Sequence, residues 1–141
     1  MTIESIQADF EFLDDWEDRY RYVIELGRRL EALDPSLKND HSKVRGCASQ
    51  VWLICNADDR AAPDPNLTFR GESDAAIVQG LIAILLSIYN GKRASEILAI
   101  NPNDIFASLG LNDHLTPQRS NGLKSMVERI RAEASTVANA P

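Results

Sequence analysis

Cysteine and histidine are scarce in this chain: among 141 residues there are only Cys47, Cys55, His41 and His114. They could make at most a Cys2His2 set, and no C-x-x-C or H-x-x-x-H spacing supports one, so a metal site has no pattern behind it. No G-x-x-x-x-G-K-[ST] or G-x-G-x-x-G occurs, which leaves nucleotide binding without support. Positive charge is also in deficit. Fifteen Lys and Arg stand against 21 Asp and Glu, a net charge of −6. A nucleic-acid surface is normally a basic patch, so that class is disfavoured, while docking on a basic protein partner is not. "MTIESIQADF" contains no basic residue, so no signal peptide is expected. The longest apolar run, "AAIVQGLIAILLSIY" at 75–89, is interrupted by Gln79, Gly80 and Ser87. A membrane span needs about 20 apolar residues, so this segment reads as a buried core helix. Few cysteines and no export signal point to a reducing, cytoplasmic setting. A Cys47–Cys55 disulfide is disfavoured, since eight residues of straight strand span about 26 Å.

What is present is ordinary for a globular protein: 44% hydrophobic and 26% charged residues. The length suits one domain over 1–141, with an ordered core of about 8–134. Chains of about 150 residues bury roughly 68–70% of their unfolded surface, enough for an unstapled core.

Residues 9–33 read as a first helix, with Leu13, Trp16, Tyr20, Val23, Leu26 and Leu30 at three- and four-residue steps. Asp34-Pro35 ends it. Residues 34–43 are polar loop. "SQVWLICNA" at 49–57 and "LTFRG" at 67–71 read as strands across a loop, most simply antiparallel, and "KVRG" could add a third. Ser73 or Asp74 is placed to cap the apolar helix 75–89, and Asn90-Gly91 to stop it. A shorter helix covers about 94–100. Asn101-Pro102 and Thr116-Pro117 start two more, the first ended by Gly110 and the second running over about 117–134. The tail "STVANAP" reads as frayed. Helix, small antiparallel sheet and then several helices make an α+β pattern.

Three places could carry chemistry. Gly46 permits a sharp turn, placing Cys47 at a loop tip entering a strand. Lys43 and Arg45 precede it, and positive neighbours favour a thiolate. Against that, cysteines commonly just pack, and packing is the reading for Cys55, which shares a strand face with Leu53 and Val51. Arg119 falls on the apolar stripe of the last helix, four residues before Leu123. Either its stem covers apolar surface, or its guanidinium faces an anion near the helix N-terminus. Asp74 reads first as a helix cap, and otherwise as an acid for a basic partner. His41 as a base for Cys47 is a weak pattern.

"VRGCASQVW" resembles the cysteine motif of the SufE family, the sulfur-acceptor partners of cysteine desulfurases. "FRGESDAAIVQGLIAILLSIYNG" (69–91) and "LGLNDHLTPQRSNGLKSMVERI" (109–130) are similar to the family's second and third signatures, and "YRYVIELGRRL" fits the first helix. The resemblance implies a SufE/IscU-like fold, a short antiparallel sheet packed with helices. It implies that Cys47 accepts persulfide sulfur, supported by Gly46 and Arg119. Asp74 and Arg45 are partner-binding candidates by their charge and place alone, position 45 being a variable one in the family's motif. The implied donor is a pyridoxal-phosphate cysteine desulfurase of SufS or CsdA type, stimulated by this chain. The implied destination is iron–sulfur cluster assembly on a SufBCD-type scaffold complex. No cofactor, metal, nucleic acid or membrane is expected on this chain, which is expected to be a monomer and an accessory protein rather than an enzyme. The alternatives on the same fold are a cluster scaffold, which would use several thiolates, and an adaptor in which Cys47 is a spectator. A free-standing thiol hydrolase would need a positioned histidine. A cysteine hinged on Gly46 beside an apolar strand also suggests a loop that tucks the thiol away until docking draws it out.

Overall fold

A computed structural model describes residues 2–59 and 61–138. The apolar periodicity over 9–33 does not make one helix. It is divided between α1 (Ile3–Phe12) and α2 (Trp16–Arg28). Asp15 explains the division: its carboxylate accepts from the Glu17 amide at 2.8 Å and caps α2, while Leu13 is extended. The Arg19 guanidinium then satisfies the carbonyls freed at the end of α1, donating to Leu13 at 2.6 Å and Phe10 at 3.0 Å. Thr2 and Ser5 close a reciprocal capping box at the start of α1.

The sheet has the order β1 (Val51–Ala57), β2 (Asn66–Ser73), β3 (Lys92–Arg93). β1 and β2 are antiparallel, with Val51 opposite Ser73 and Cys55 opposite Phe69. The "KVRG" segment does not supply the third strand. It makes a single bridge, Lys43 to Trp52, while β3 joins the other side of β2. One sheet face carries Val51, Leu53, Leu67 and Phe69 into the core.

Helix α3 (Ala76–Tyr89) lies against that sheet and α2, and Leu81, Ile82, Ile84, Leu85 and Ile88 are all fully or nearly fully buried. Each such side chain contributes about 1.5–3 kcal/mol relative to exposure, so this helix is the centre of the core. The backbones of α2 and α3 meet where a Cβ on Gly27 would stand 2.6 Å from the Gly80 nitrogen. Neither Ser73 nor Asp74 caps α3. Its N-cap is Ala75, without a side-chain bond. Ser73 Oγ accepts from the Ala75 amide at 3.2 Å, and Asp74 is engaged elsewhere, by the Gln50 amide at 3.0 Å. Asn90 and Gly91 end α3 as expected, and the Asn90 side chain accepts from the Phe69 amide at 2.6 Å.

The remaining helices are α4 (Ala94–Ala99), α5 (Asn103–Ser108), a one-turn α6 (Leu111–His114) that had no sequence signal, and α7 (Pro117–Ala138). Gly110, with φ +69°, separates α5 from α6. Thr116 caps α7, its Oγ1 accepting from the Arg119 amide at 3.2 Å. α7 continues beyond residue 134 because Val137 is buried. The part of the expected frayed tail after Ala138 lies outside the described residues.

The linker after α2 is held by Glu72 on β2. Its carboxylate accepts from Lys38 Nζ at 2.6 Å and from the Leu33 amide at 3.0 Å. The Lys38 hydrogen bond, aided by the Leu33 amide and by the lysine charge, holds the Glu72 carboxyl below its usual range against the opposing effect of burial. A depressed folded pKa means the unfolded chain binds the proton first. The stabilisation is therefore complete above the unfolded pKa of about 4.3 and is lost as pH falls through the lower folded value. Glu72→Gln should lower stability by about 1–2 kcal/mol at neutral pH. It should also flatten the acid limb of a melting-temperature profile. An unchanged acid limb would remove Glu72 from the account.

Candidate functional site: a thiol cleft between a glycine-hinged loop and the last helix

Residues 45–50 form a loop closed at its base by strand-like pairing. The Val44 amide donates to the Val51 carbonyl at 2.8 Å, and the Leu53 amide donates to the Ser42 carbonyl at 2.8 Å. Gly46 turns the loop with φ +88°, a conformation that L side chains rarely adopt. A Cβ there would also meet Ser125 Oγ on α7 at 2.6 Å. Glycine is thus favoured by conformation, while an added methyl would have to turn the Ser125 hydroxyl aside.

That turn points Cys47 at α7. Its thiol donates to the Gly122 carbonyl, with Sγ and oxygen 3.6 Å apart. Gly122 is buried, and a Cβ there would lie 3.6 Å from Sγ. The thiol opens onto a cleft of about 220 Å³. The loop contributes Ala48 and Ser49, α3 contributes Val78 and Leu81, and α7 contributes Arg119 and Met126. One wall is therefore core and the other is the first turns of α7, where the helix dipole favours negative charge.

Burial pushes the Cys47 thiol above its ordinary value, with no offsetting cation. The expectation that Lys43 and Arg45 favour the thiolate is thereby overturned. A half-buried sulfur loses the hydration a thiolate needs, and a carbonyl acceptor favours the protonated form. Among the described residues, Arg119 is the cation that lines the cleft, and its side chain is exposed. Its place on the apolar stripe of α7 is therefore at the stripe's open end, where it borders both the thiol and solvent.

Gly46, Cys47 and Arg119 are brought together. Arg45 is exposed on the loop beside Gly46 but does not line the cleft. Asp74 stands at the second foot of the loop. Its carboxylate accepts from the Gln50 amide, and its own amide donates to the Gln50 carbonyl at 3.3 Å. Cys55 packs against the core and lines a different cavity, together with His41. The two cysteines are not bonded to each other. His114 stacks on Trp16 with ring centroids 3.8 Å apart and does not line the thiol cleft.

Sequence reasoning passed over Gly122, Ser125 and Arg129. Arg129 donates to the Lys43 carbonyl at 3.1 Å and to the His41 carbonyl, so α7 grips the first foot of the loop as well as its tip. The available signal was spacing: 122, 125, 126 and 129 fall on one helical face.

Known proteins resemble the chain along almost all of its length. A family model described as "SufE: Fe-S metabolism associated domain" matches residues 4–134. An uncharacterized SufE-like protein of Rhizobium meliloti is 56% identical over 133 residues, covering 94% of this chain and 94% of its own length. An uncharacterized SufE-like protein of Rhizobium etli is 52% identical over 139 residues, covering 99% and 93%. In three dimensions, the solution structure of a hypothetical protein from Thermus thermophilus superposes with a TM-score of 0.76. It covers 99% of this chain and 100% of its own at 16% identity, which speaks for the fold alone. By the family model and both relatives, this chain belongs to the SufE family, the Fe–S metabolism associated domain.

Proposed function

We propose that this protein accepts sulfur on Cys47 from the persulfide of a pyridoxal-phosphate cysteine desulfurase, stimulates that enzyme by removing its product, and passes the sulfur to iron–sulfur cluster assembly. The observation that carries the reading is a lone thiol at the tip of a glycine-hinged loop, opening onto a cleft bordered by Arg119, in a chain of the SufE family.

The chemistry is an exchange. The Cys47 thiolate attacks the outer sulfur of the donor persulfide, forming one S–S bond as the donor's breaks. The donor cysteine leaves as a thiolate, and the Cys47 proton goes to solvent or to a base of the partner. No net oxidation occurs and no cofactor is needed on this chain. In the tucked position the Gly122 carbonyl and the apolar wall hold the sulfur protonated and screened. Productive attack therefore requires the loop to leave Gly122. Turning about Gly46 moves Cys47 into the partner's site, away from the carbonyl, and an aligned approach supplies rate. Arg119, free to move at the cleft mouth, then faces the thiolate, the product persulfide or a carboxylate of the partner. Arg45 and Asp74 flank the same loop and are placed to meet the partner. A SufS- or CsdA-type desulfurase fits the donor role and a SufBCD-type scaffold the acceptor role, with this chain docking as a monomer. The cluster-scaffold alternative has less to work with, because Cys47 and Cys55 line separate cavities.

The test is mass spectrometry of the intact chain after incubation with a desulfurase and free cysteine, followed by peptide mapping. Added sulfur confined to the Cys47 peptide is the expected result. No added sulfur, or sulfur spread without preference, overturns the proposal. Hydrogen exchange over residues 43–50 should rise when the desulfurase is added, and an unchanged loop would remove the tuck-and-release step.

A further inference from the structure

The geometry points to Arg129 as the positioning residue that seats Cys47, latching the first foot of the thiol loop to the helix that forms the cleft. The inference deepens the proposed sulfur-acceptor role and rests on it for its significance, though the latch itself is a property of the free protein.

Each nitrogen of the Arg129 guanidinium has a partner. Nη1 donates to the Lys43 carbonyl at 3.1 Å, Nη2 donates to the His41 carbonyl, and Nε donates to Glu133 Oε1 at 3.1 Å. The two carbonyls are two residues apart, on the side of the segment turned away from its β1 pairing, and a planar fork reaches both at once. Glu133, one turn further along α7, fixes the plane of the fork. The Arg129 side chain is only 25% exposed, so this is not a solvated surface cation.

Position along α7 gives the latch its consequence. Gly122 accepts from the Cys47 thiol, Ser125 abuts Gly46, and Arg129 holds the carbonyls of Lys43 and His41. These contacts fall at three- and four-residue steps on one face, so α7 acts as a ruler for the loop. The second foot is pinned independently through Asp74 and Gln50, from the β2–α3 junction. With both feet held, Gly46 is the place left for the tip to turn. Without Arg129 the first foot is held by β1 alone and shifts relative to α7, so the thiol meets Gly122 less often and spends more time in solvent.

The experiment measures iodoacetamide alkylation of the free full-length chain, resolved to Cys47 by peptide mapping, for wild type, Arg129→Met, Arg129→Lys and a remote control. Methionine keeps much of the stem but removes every donor. Tyr22→Phe serves as the control, because it deletes a hydrogen bond to Asp9 between α1 and α2. Arg129→Met should alkylate Cys47 about tenfold faster than wild type. Arg129→Lys, with one point charge in place of a fork, should fall between them, and Tyr22→Phe should match wild type. A rate in Arg129→Met equal to wild type, or no greater than in Tyr22→Phe, overturns the inference. Should Arg129→Met not fold, Glu133→Ala removes the acceptor that holds Nε, and its Cys47 should alkylate faster than in wild type. An unchanged alkylation rate there also overturns the inference. No desulfurase is present in these measurements. A failed latch therefore leaves sulfur acceptance on Cys47 standing, and a wild-type chain that takes up no sulfur leaves the latch standing.

Discussion

Cys47→Ser is expected to lose sulfur uptake from a desulfurase completely while keeping its fold, and Cys55→Ser is expected to retain uptake. Serine replaces one atom at a half-buried position and can still donate to the Gly122 carbonyl, so stability should change by less than about 1 kcal/mol. A hydroxyl cannot supply the thiolate that attacks a persulfide, so the loss is of the chemistry itself. Cys55 stands on β1 opposite Phe69, packs against the core and lines another cavity. Its replacement should disturb packing, read as a lower melting temperature, without touching transfer. The free chain adds a check on the same thiol. Because burial pushes it up, its alkylation rate should climb about tenfold per pH unit through neutrality without levelling before the ordinary thiol range near 8.5. Sulfur on the Cys47→Ser chain equal to wild type would dismiss Cys47 as acceptor. A rate that levels below neutrality would dismiss the screened thiol.

Gly80→Ala should be the most destabilising single methyl addition in the fold. A Cβ at this position would overlap the Val23 carbonyl oxygen of α2 and stand 2.5 Å from Val23 Cγ1. The carbonyl belongs to backbone, so no rotamer relieves the overlap, and α2 must lift from α3. That separation opens the interface where Val23 and Leu26 pack on the apolar face of α3. Overpacking of a good core costs about 1–3 kcal/mol and sometimes more, and a backbone clash belongs at the upper end. The gain in helix propensity offsets no more than about 1 kcal/mol. A fall in melting temperature of roughly 8 °C or more is expected for a chain of this size. A fall under roughly 2 °C would mean the two helices slide past each other freely, contrary to the close packing of interiors.

The sequence carried the core better than its edges. The apolar run at 75–89 became α3 because nothing within it competes with burial, and its Asn90-Gly91 stop is local chemistry. The division at Leu13 was legible in principle, since Asp15 before Trp16 is a cap signal, but the apolar spacing continues in phase across the break and masks it. β3 and α6 are too short to leave a period. Around the thiol, Gly46 and Cys47 were legible because φ and chemistry reside in those residues. The acidity was not, because it depends on which side chains reach the sulfur, and Lys43 and Arg45 do not offset its burial. Asp74 has the composition of a cap and a different partner, 24 residues away in sequence. Arg129 reads as one more cation on the last helix until the fold brings Lys43 beside it.

The Cys47–Gly122 contact joins residues 75 positions apart, and the Arg129 contact to Lys43 joins residues 86 apart. During synthesis the thiol is made long before its cover. At about 5–20 residues per second, Gly122 follows Cys47 by roughly 4–15 s, and Arg129 comes later still. For that interval Cys47 belongs to an unfinished chain and has the reactivity of an ordinary exposed thiol. The cover over the thiol is thus supplied by α7, and a ribosome stalled before that helix would hold a chain in which Cys47 has no Gly122 carbonyl to meet.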